Sequence, residues 1–278
     1  MPSPRAVVAI REEPHYRRDA FAAGLESTGY KVSCIDPKKN EPLPYVPGRG
    51  DAIVVWNRAA RADALAEIAS RNGAAVLVAE NGYLGRDASG HQLYALARDQ
   101  HLGAGTWWPE RLDGAARWQA LGLELQPWRQ DGGHVLVCGS RGIGAPHLKM
   151  PKSWPAETER WLRKTTKREI RVREHPGRHG VHGEAAVPLE RDLAGCWAVV
   201  IWASSCGLKA LLAGVPVLHG LKQWIGAGAA SSALADVERP PTPDRARLSM
   251  FRRLATAQWT LAEIQRGDPF AHLLPAAR

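Results

Sequence analysis

Cysteine is scarce and scattered in this chain. Cys34, Cys138, Cys196 and Cys206 are four thiols in 278 residues, with no CxxC pair and no Cys/His ligand spacing. That excludes a disulfide scaffold and a structural zinc site, and leaves buried free thiols as the expectation. The ten histidines include no HExxH. No apolar run approaches the roughly 20 residues that a membrane span requires. The opening "MPSPRAVVAI" has neither a signal-peptide core of proper length nor a cleavage site. A soluble, cytoplasmic protein without a membrane span is therefore expected. No repeat of 20–50 residues is visible.

Short β-branched runs alternate with helical stretches, the pattern of an α/β protein with parallel strands. "AVVAI" (Ala6–Ile10), "KVSCI" (Lys31–Ile35), "DAIVVW" (Asp51–Trp56) and "AAVLVA" (Ala74–Ala79) read as strands, with helices over Tyr16–Gly29 and Arg61–Asn72. A second series starts at "HVLVCG" (His134–Gly139). It continues through a helix at Pro155–Thr166, "EIRVRE" (Glu169–Glu174), "WAVVIW" (Trp197–Trp202), a helix to Ala213 and "VPVL" (Val215–Leu218). The expected architecture is two Rossmann-like, doubly wound domains facing a cleft. Residues 1–130 form the first, with the junction near Gln126–Gly133, and residues 131–243 the second. Pro240, Pro241 and Pro243 precede a final amphipathic helix, Asp244 to about Arg266, within a segment 244–278 that packs back across the domains. Ligands of such folds bind beyond the carboxyl ends of the strands.

The net charge is +9. Between Arg141 and Arg178 there are eleven basic residues against four acids. This fits a polyanion partner, and equally a solvated helix face beside a phosphate pocket.

Four constellations carry chemistry. In "VVIWASSCGLKALLAGVPV", Ser204 and Ser205 fall where a buried strand gives way to a helix. Unpaired N–H groups and the helix dipole favour an anion there, the two hydroxyls add donors, and Gly207 lets a ligand approach the backbone. Plain N-capping by serine is the alternative. In "VREHPGRHG", His175 and Pro176 end a strand between Arg173 and Arg178, placing an imidazole within reach of a phosphate oxygen; the alternative is a turn histidine without a role. "GSRGIG" puts Gly139, Arg141, Gly142 and Gly144 directly behind a strand, which suits a phosphate or leaving group and is not a dinucleotide fingerprint. In "VAENGYLGR", Glu80 follows a strand and is a candidate general base for a hydroxyl acceptor, or else a cap or salt-bridged acid. Asn57 and Arg58, behind another strand, are placed to position an acceptor or to hold Glu80, and Tyr83 belongs to the same acceptor set.

The order of these motifs resembles that of GT-B glycosyltransferases. More narrowly it looks like the capsule-type and bacterial sialyltransferase-like groups, with Glu80-Asn81-Gly82 at their acidic (D/E)-(D/E)-G motif, His175-Pro176 at their HP motif and Ser204-Ser205 at their SS motif. Asn81 departs from the second carboxylate of that pattern. Lys209 stands where many GT-B enzymes carry a ribose-holding glutamate, so the donor nucleoside does not carry over, and Lys209 is instead placed to neutralise a phosphate or to contact the acceptor. Together with "RGIG", "KQWIGAGAA" and "MFRRLATAQWTLAEI", the chain is similar to short phage and prophage proteins labelled glycosyltransferases. The resemblance implies metal-independent sugar transfer without a cofactor. The donor would be a nucleotide-sugar, a UDP-sugar first and CMP- or GDP-sugars next. Glu80 and His175 would be catalytic. Gly139, Arg141, Gly142, His175, Pro176, Ser204, Ser205, Gly207 and Lys209 would hold the donor. The preferred acceptor is a 5-hydroxymethylpyrimidine base in phage DNA, in the cytoplasm of a bacterial host. A flipped base would stack on Trp107, Trp108 or Trp224 unless the eleven tryptophans fill core and interface. A surface-polysaccharide transferase and a non-catalytic DNA-binding protein on a GT-B frame are the alternatives.

Overall fold

The computed structural model describes residues 3–101, 103–175 and 188–274. The chain divides into two compact units. The first holds the residues up to Leu121, Gly144–His147 and those from Ala255 onward, and the second holds Gly122–Ile143 and Leu148–Leu254.

The first unit contains β1 (Arg5–Ala9), α1 (His15–Ser27), β2 (Lys31–Ile35), β3 (Ala52–Trp56), α2 (Arg61–Arg71), β4 (Ala75–Arg86), β5 (Gln92–Arg98) and α3 (Gly114–Ala120). In the second unit, β6 (His134–Cys138), α4 (Trp154–Thr165), β7 (Glu169–Arg173), α5 (Leu189–Leu193), β8 (Cys196–Ile201), α6 (Ser205–Leu212), β9 (Val217–His219) and α7 (Asp244–Ala255, ending at the unit boundary) follow. The chain then returns to the first unit with β10 (Gln258–Trp259), α8 (Leu261–Arg266) and α9 (Asp268–Leu273).

The two sheets share one plan. The first runs β10-β5-β4-β3-β1-β2 and the second β7-β6-β8-β9. In each, the first strand of the unit lies between the second and third, all parallel. Strands covered on both faces must be apolar along their whole length, which is why "AIVVW" and "HVLVC" are buried almost residue for residue. In the first unit Val7, Ile53, Val55, Val76 and Val78 pack on Leu65, Ala66 and Ala69 of α2. In the second, Val135, Val137, Ala198 and Val200 pack around Leu162 of α4.

Three sequence expectations give way. The strand at Ala74–Ala79 does not stop before Glu80. It continues to Arg86 and folds back antiparallel onto β5 around a turn in which the Asp87 carboxylate accepts the N–H groups of Ser89 and His91. The expected long C-terminal helix is broken after Ala255. Gln258 there enters the sheet edge and binds the backbone of Tyr83 and Leu84, and Thr260 and Glu263 form a reciprocal capping box that starts α8 afresh. The expected boundaries at 130 and 243 differ from the compact units, which divide at 121 and 254. Gln126 and Arg129 already donate to the Leu212 and Gly214 carbonyls of the second unit. Among the described residues no helix is long and apolar enough to cross a membrane.

His101, behind β5, is 2% exposed and its Nδ1 has no hydrogen-bond partner. Burial, and then the nearby Arg58 charge, hold its imidazole down at about 4. The unfolded chain therefore takes up a proton between pH 6.5 and 4 that the folded chain refuses. This contribution to stability is complete above pH 6.5 and is lost as the pH falls towards 4, by ~3 kcal/mol. Urea unfolding at pH 7 and pH 4 should show that loss reduced in His101→Gln.

Candidate functional site

A strand order in which the first strand is flanked by the second and third creates a switch point at the carboxyl ends of the first and third. In the second unit these are β6 and β8, followed by Gly139 and by Trp202-Ala203-Ser204. The expected Gly-rich and Ser-Ser segments thus lie at the ends of adjacent, hydrogen-bonded strands.

Ser204 is the N-cap of α6. Its backbone is extended, and its Oγ accepts the Cys206 N–H at 3.2 Å. This bond uses an acceptor lone pair and leaves the Ser204 O–H available to donate. Ser205 is exposed, and so is Lys209, one turn further along. Cys206, between the two serines and Gly207 in sequence order, sits half-buried in the first turn of α6. The nearby Cys138 thiol at the end of β6, the Ser204 hydroxyl and the Arg173 and Lys209 charges pull the Cys206 thiol down to about 6, although burial opposes them. The Cys138 thiol moves up. The expectation of four buried thiols is corrected: Cys206 is half-buried and Cys34 exposed.

Gly207 is not an opening for a ligand. A Cβ there would lie 2.6 Å from Ile201 and 2.9 Å from the Trp224 ring. Trp224 is 3% exposed, packed on Gly207, Gly226 and His219, and so offers no stacking face for a base. Trp107 is buried too, with its indole N–H on Thr256; Trp108 is half-buried between the Arg98 and Arg111 guanidinium groups.

After β6, the Gly139 N–H binds the Arg173 carbonyl at 2.9 Å. Gly142 has φ +67°, a left-handed conformation that favours glycine, and its N–H reaches Ser140 Oγ. Arg141 is exposed. Arg173 is engaged by Asp192 and so is not a spare cation. His175 is half-buried behind β7, while Pro176 and Arg178 lie outside the described residues.

In the first unit, Glu80 lies within β4 and is 8% exposed. Tyr83 Oη donates to Glu80 Oε1 at 2.5 Å, and burial pushes the Tyr83 phenol well up, keeping it a donor. Tyr83 is thus a partner of Glu80 inside the protein and not an exposed acceptor contact. Gly82 is also structural, since a Cβ there would lie 2.6 Å from the Leu93 carbonyl oxygen of β5. Arg58 is buried, bonded to Asp63, Glu67 and the Asp99 carbonyl, so it neither holds Glu80 nor faces an acceptor. Asn57 is half-buried in a left-handed conformation (φ +48°), with its N–H on the Ala79 carbonyl.

The pleat sends Asn81 to the opposite face from Glu80, alongside Ala79, and pairs it with Tyr94 of β5 and Ala79 with Trp56 of β3. Sequence reasoning missed what gathers there. The Arg17 guanidinium lies 4.1 Å above the Trp56 ring, and the Trp56 and Tyr94 rings meet edge to face. Burial and a hydrogen bond with Tyr16 push the Tyr94 phenol up to about 12. Arg17 has no carboxylate partner among the described residues, and burial pushes its guanidinium down. Only a strand-end tryptophan and an arginine one turn into the helix after β1 signalled this group. Among the described residues no cluster of three or more His, Cys, Asp or Glu is placed to hold a metal.

No family model and no curated protein matches the chain. Solved structures are similar to it, two among them at nearly full-length coverage. One is Thermosulfurimonas dismutans KpsC, beta Kdo 2,7 transferase, at 16% identity and a TM-score of 0.53 over 91% of this chain and 89% of that one. The other is the KpsC beta Kdo 2,4 transferase of the same organism, at 13% identity and a TM-score of 0.55 over 92% and 91%. At these identities the likeness is one of fold: the chain shares the mixed α/β fold of these two proteins.

Gly207→Ala should destabilise the second unit by ~1–3 kcal/mol through overpacking against Trp224. Thermal unfolding followed by tryptophan fluorescence measures it. An unchanged midpoint would mean that α6 has room to spare.

Proposed function

We propose that this chain is a GT-B-type glycosyltransferase. It moves a sugar from a nucleotide-sugar to a hydroxyl acceptor and uses no metal. The observation that carries the reading is the capped N-terminus of α6 at the switch point of the second sheet. The likeness in fold to two Kdo transferases supports it. Ser204, Ser205, Arg141, Lys209 and His175 would hold the donor phosphates and stabilise the departing nucleotide. The donor would be a nucleotide-activated acidic sugar of the Kdo kind, with UDP-, CMP- and GDP-sugars all in scope.

Glu80 would take the acceptor proton, held in place by Tyr83. Arg17, Trp56 and Tyr94 lie on the face of the sheet opposite Glu80 and are not part of this acceptor set. A carbohydrate hydroxyl acceptor, in keeping with the fold likeness to two Kdo transferases, is the first reading. A hydroxymethylated base in DNA is the second reading, favoured by the exposed Arg141, Lys149, Lys152, Arg160, Arg163, Lys164 and Lys167 of the second unit. Several of the neighbouring basic groups already have acidic partners, as in Arg163–Glu159, Arg171–Glu169 and Arg173–Asp192.

The test is mass spectrometry of acceptors incubated with the protein and a panel of UDP-, GDP- and CMP-sugars, CMP-Kdo included. Acidic oligosaccharides and hydroxymethylated DNA are offered side by side. Sugar addition to the oligosaccharide alone supports the first acceptor; addition to DNA, falling steeply with salt, supports the second. Glu80→Gln should lower kcat about 100-fold with the donor KM unchanged. Release of no nucleotide from any donor overturns the transferase reading.

A further inference from the structure

The first unit has a switch point of its own, between the carboxyl ends of β1 and β3, and a cation there is left without a counter-charge. Arg17, near the start of α1, is half-buried, and its guanidinium lies 4.1 Å above the ring of Trp56, the last residue of β3. Its Nε is buried and has no hydrogen-bond partner. Among the described residues no carboxylate pairs with it. Glu12, on the loop before α1, is taken by Lys39 and Arg18. The charge that acts on Arg17 from Arg11, two residues beyond β1, has the same sign. Trp56 meets Tyr94 of β5 edge to face, with 5.9 Å between ring centres. Asn81 of β4 is exposed and lies directly opposite Tyr94 across the strands, so it shares that face. Tyr16, beside Arg17 in the chain, is exposed.

A guanidinium partly withdrawn from water and given no anion loses hydration that nothing returns. Stacking on Trp56 engages the flat face of the group and leaves the N–H groups of its edge to donate. That edge matches the two oxygens of a carboxylate, which it binds side by side. One half-buried cation balances the single charge of a carboxylate. A phosphate dianion would have to draw its second cation from the exposed, water-screened Arg11. The remaining polar groups on this face, an amide and phenols, are neutral and suit hydroxyls.

We propose that Arg17, Trp56, Tyr94 and Asn81 form a carboxylate-binding site for sugar acids, on the face of the first sheet opposite Glu80. The carboxylate pairs with the edge of Arg17, and Asn81 and the Tyr16 hydroxyl bind sugar hydroxyls. Trp56 holds the guanidinium in place and Tyr94 supports Trp56. The site needs no nucleotide and no chemical step, so it stands whether or not the chain transfers a sugar.

The test is titration calorimetry of the full-length protein, with no nucleotide-sugar present. The probes are glucuronate, its methyl ester, glucose, glucose 6-phosphate and acetate. Glucuronate should bind at least about 10-fold more tightly than the ester or glucose, which keep the ring and lack the charge. It should also bind more tightly than glucose 6-phosphate and acetate. In Arg17→Met, which keeps an apolar stem on Trp56, glucuronate should fall to the level of glucose. Arg17→Lys keeps the charge without the fork and should weaken glucuronate about 10-fold; it is the variant to use should Arg17→Met not fold. Glucuronate and its ester binding alike, tighter binding of glucose 6-phosphate, acetate binding as tightly as glucuronate, an affinity unmoved by the substitution, or no binding of any probe would each overturn the proposal.

Discussion

A parallel strand covered on both faces can offer chemistry only where it ends. That constraint governs both units. Each sheet places its first strand between its second and third, so two carboxyl ends open side by side while the loops beyond them diverge. Most of the polar groups of interest in the second unit are reached from those two ends, Gly139 to Gly142 from β6 and Ser204 to Lys209 from β8, with His175 behind the neighbouring β7. The first unit repeats the plan. There α1, which follows β1, brings Arg17 over Trp56 at the end of β3.

Close packing explains several residues that resemble ligand contacts. Gly207 admits the Trp224 ring, and Gly226 makes room for the same indole. Gly82 admits the backbone of β5. Arg58 is spent on α2 through Asp63 and Glu67, with a third bond to the Asp99 carbonyl. A buried guanidinium needs such partners, since an unpaired buried charge costs several kcal/mol. Arg17 differs because nothing acidic among the described residues answers it. Its stacking on Trp56 keeps it in place without neutralising it.

The parallel strands were legible because burial on both faces writes an unbroken apolar run, and the helix starting at Ser205 was legible from its serine cap. The β4–β5 hairpin was not. "ENGYLGR" mixes polar residues and glycines and carries no strand period, yet β5 pairs with it and Gln258 fastens its backbone. The Thr260-to-Glu263 capping box was present in "TLAE" and could have divided the long terminal helix. The roles of Tyr83, Arg58 and Trp224 depended on contacts made by residues distant in sequence or hidden by burial, which periodicity does not encode.

The start of α6 also sets a limit on how charge is shared there. The dipole, the Ser204 hydroxyl and the Lys209 ammonium can stabilise a Cys206 thiolate or an arriving phosphate, and the two anions repel each other. Arg173 is already committed to Asp192, so it does little to relieve that repulsion. A phosphate bound at this terminus must therefore push the Cys206 thiol towards its protonated form. By reciprocity, protonation of Cys206 must favour the phosphate by the same free energy.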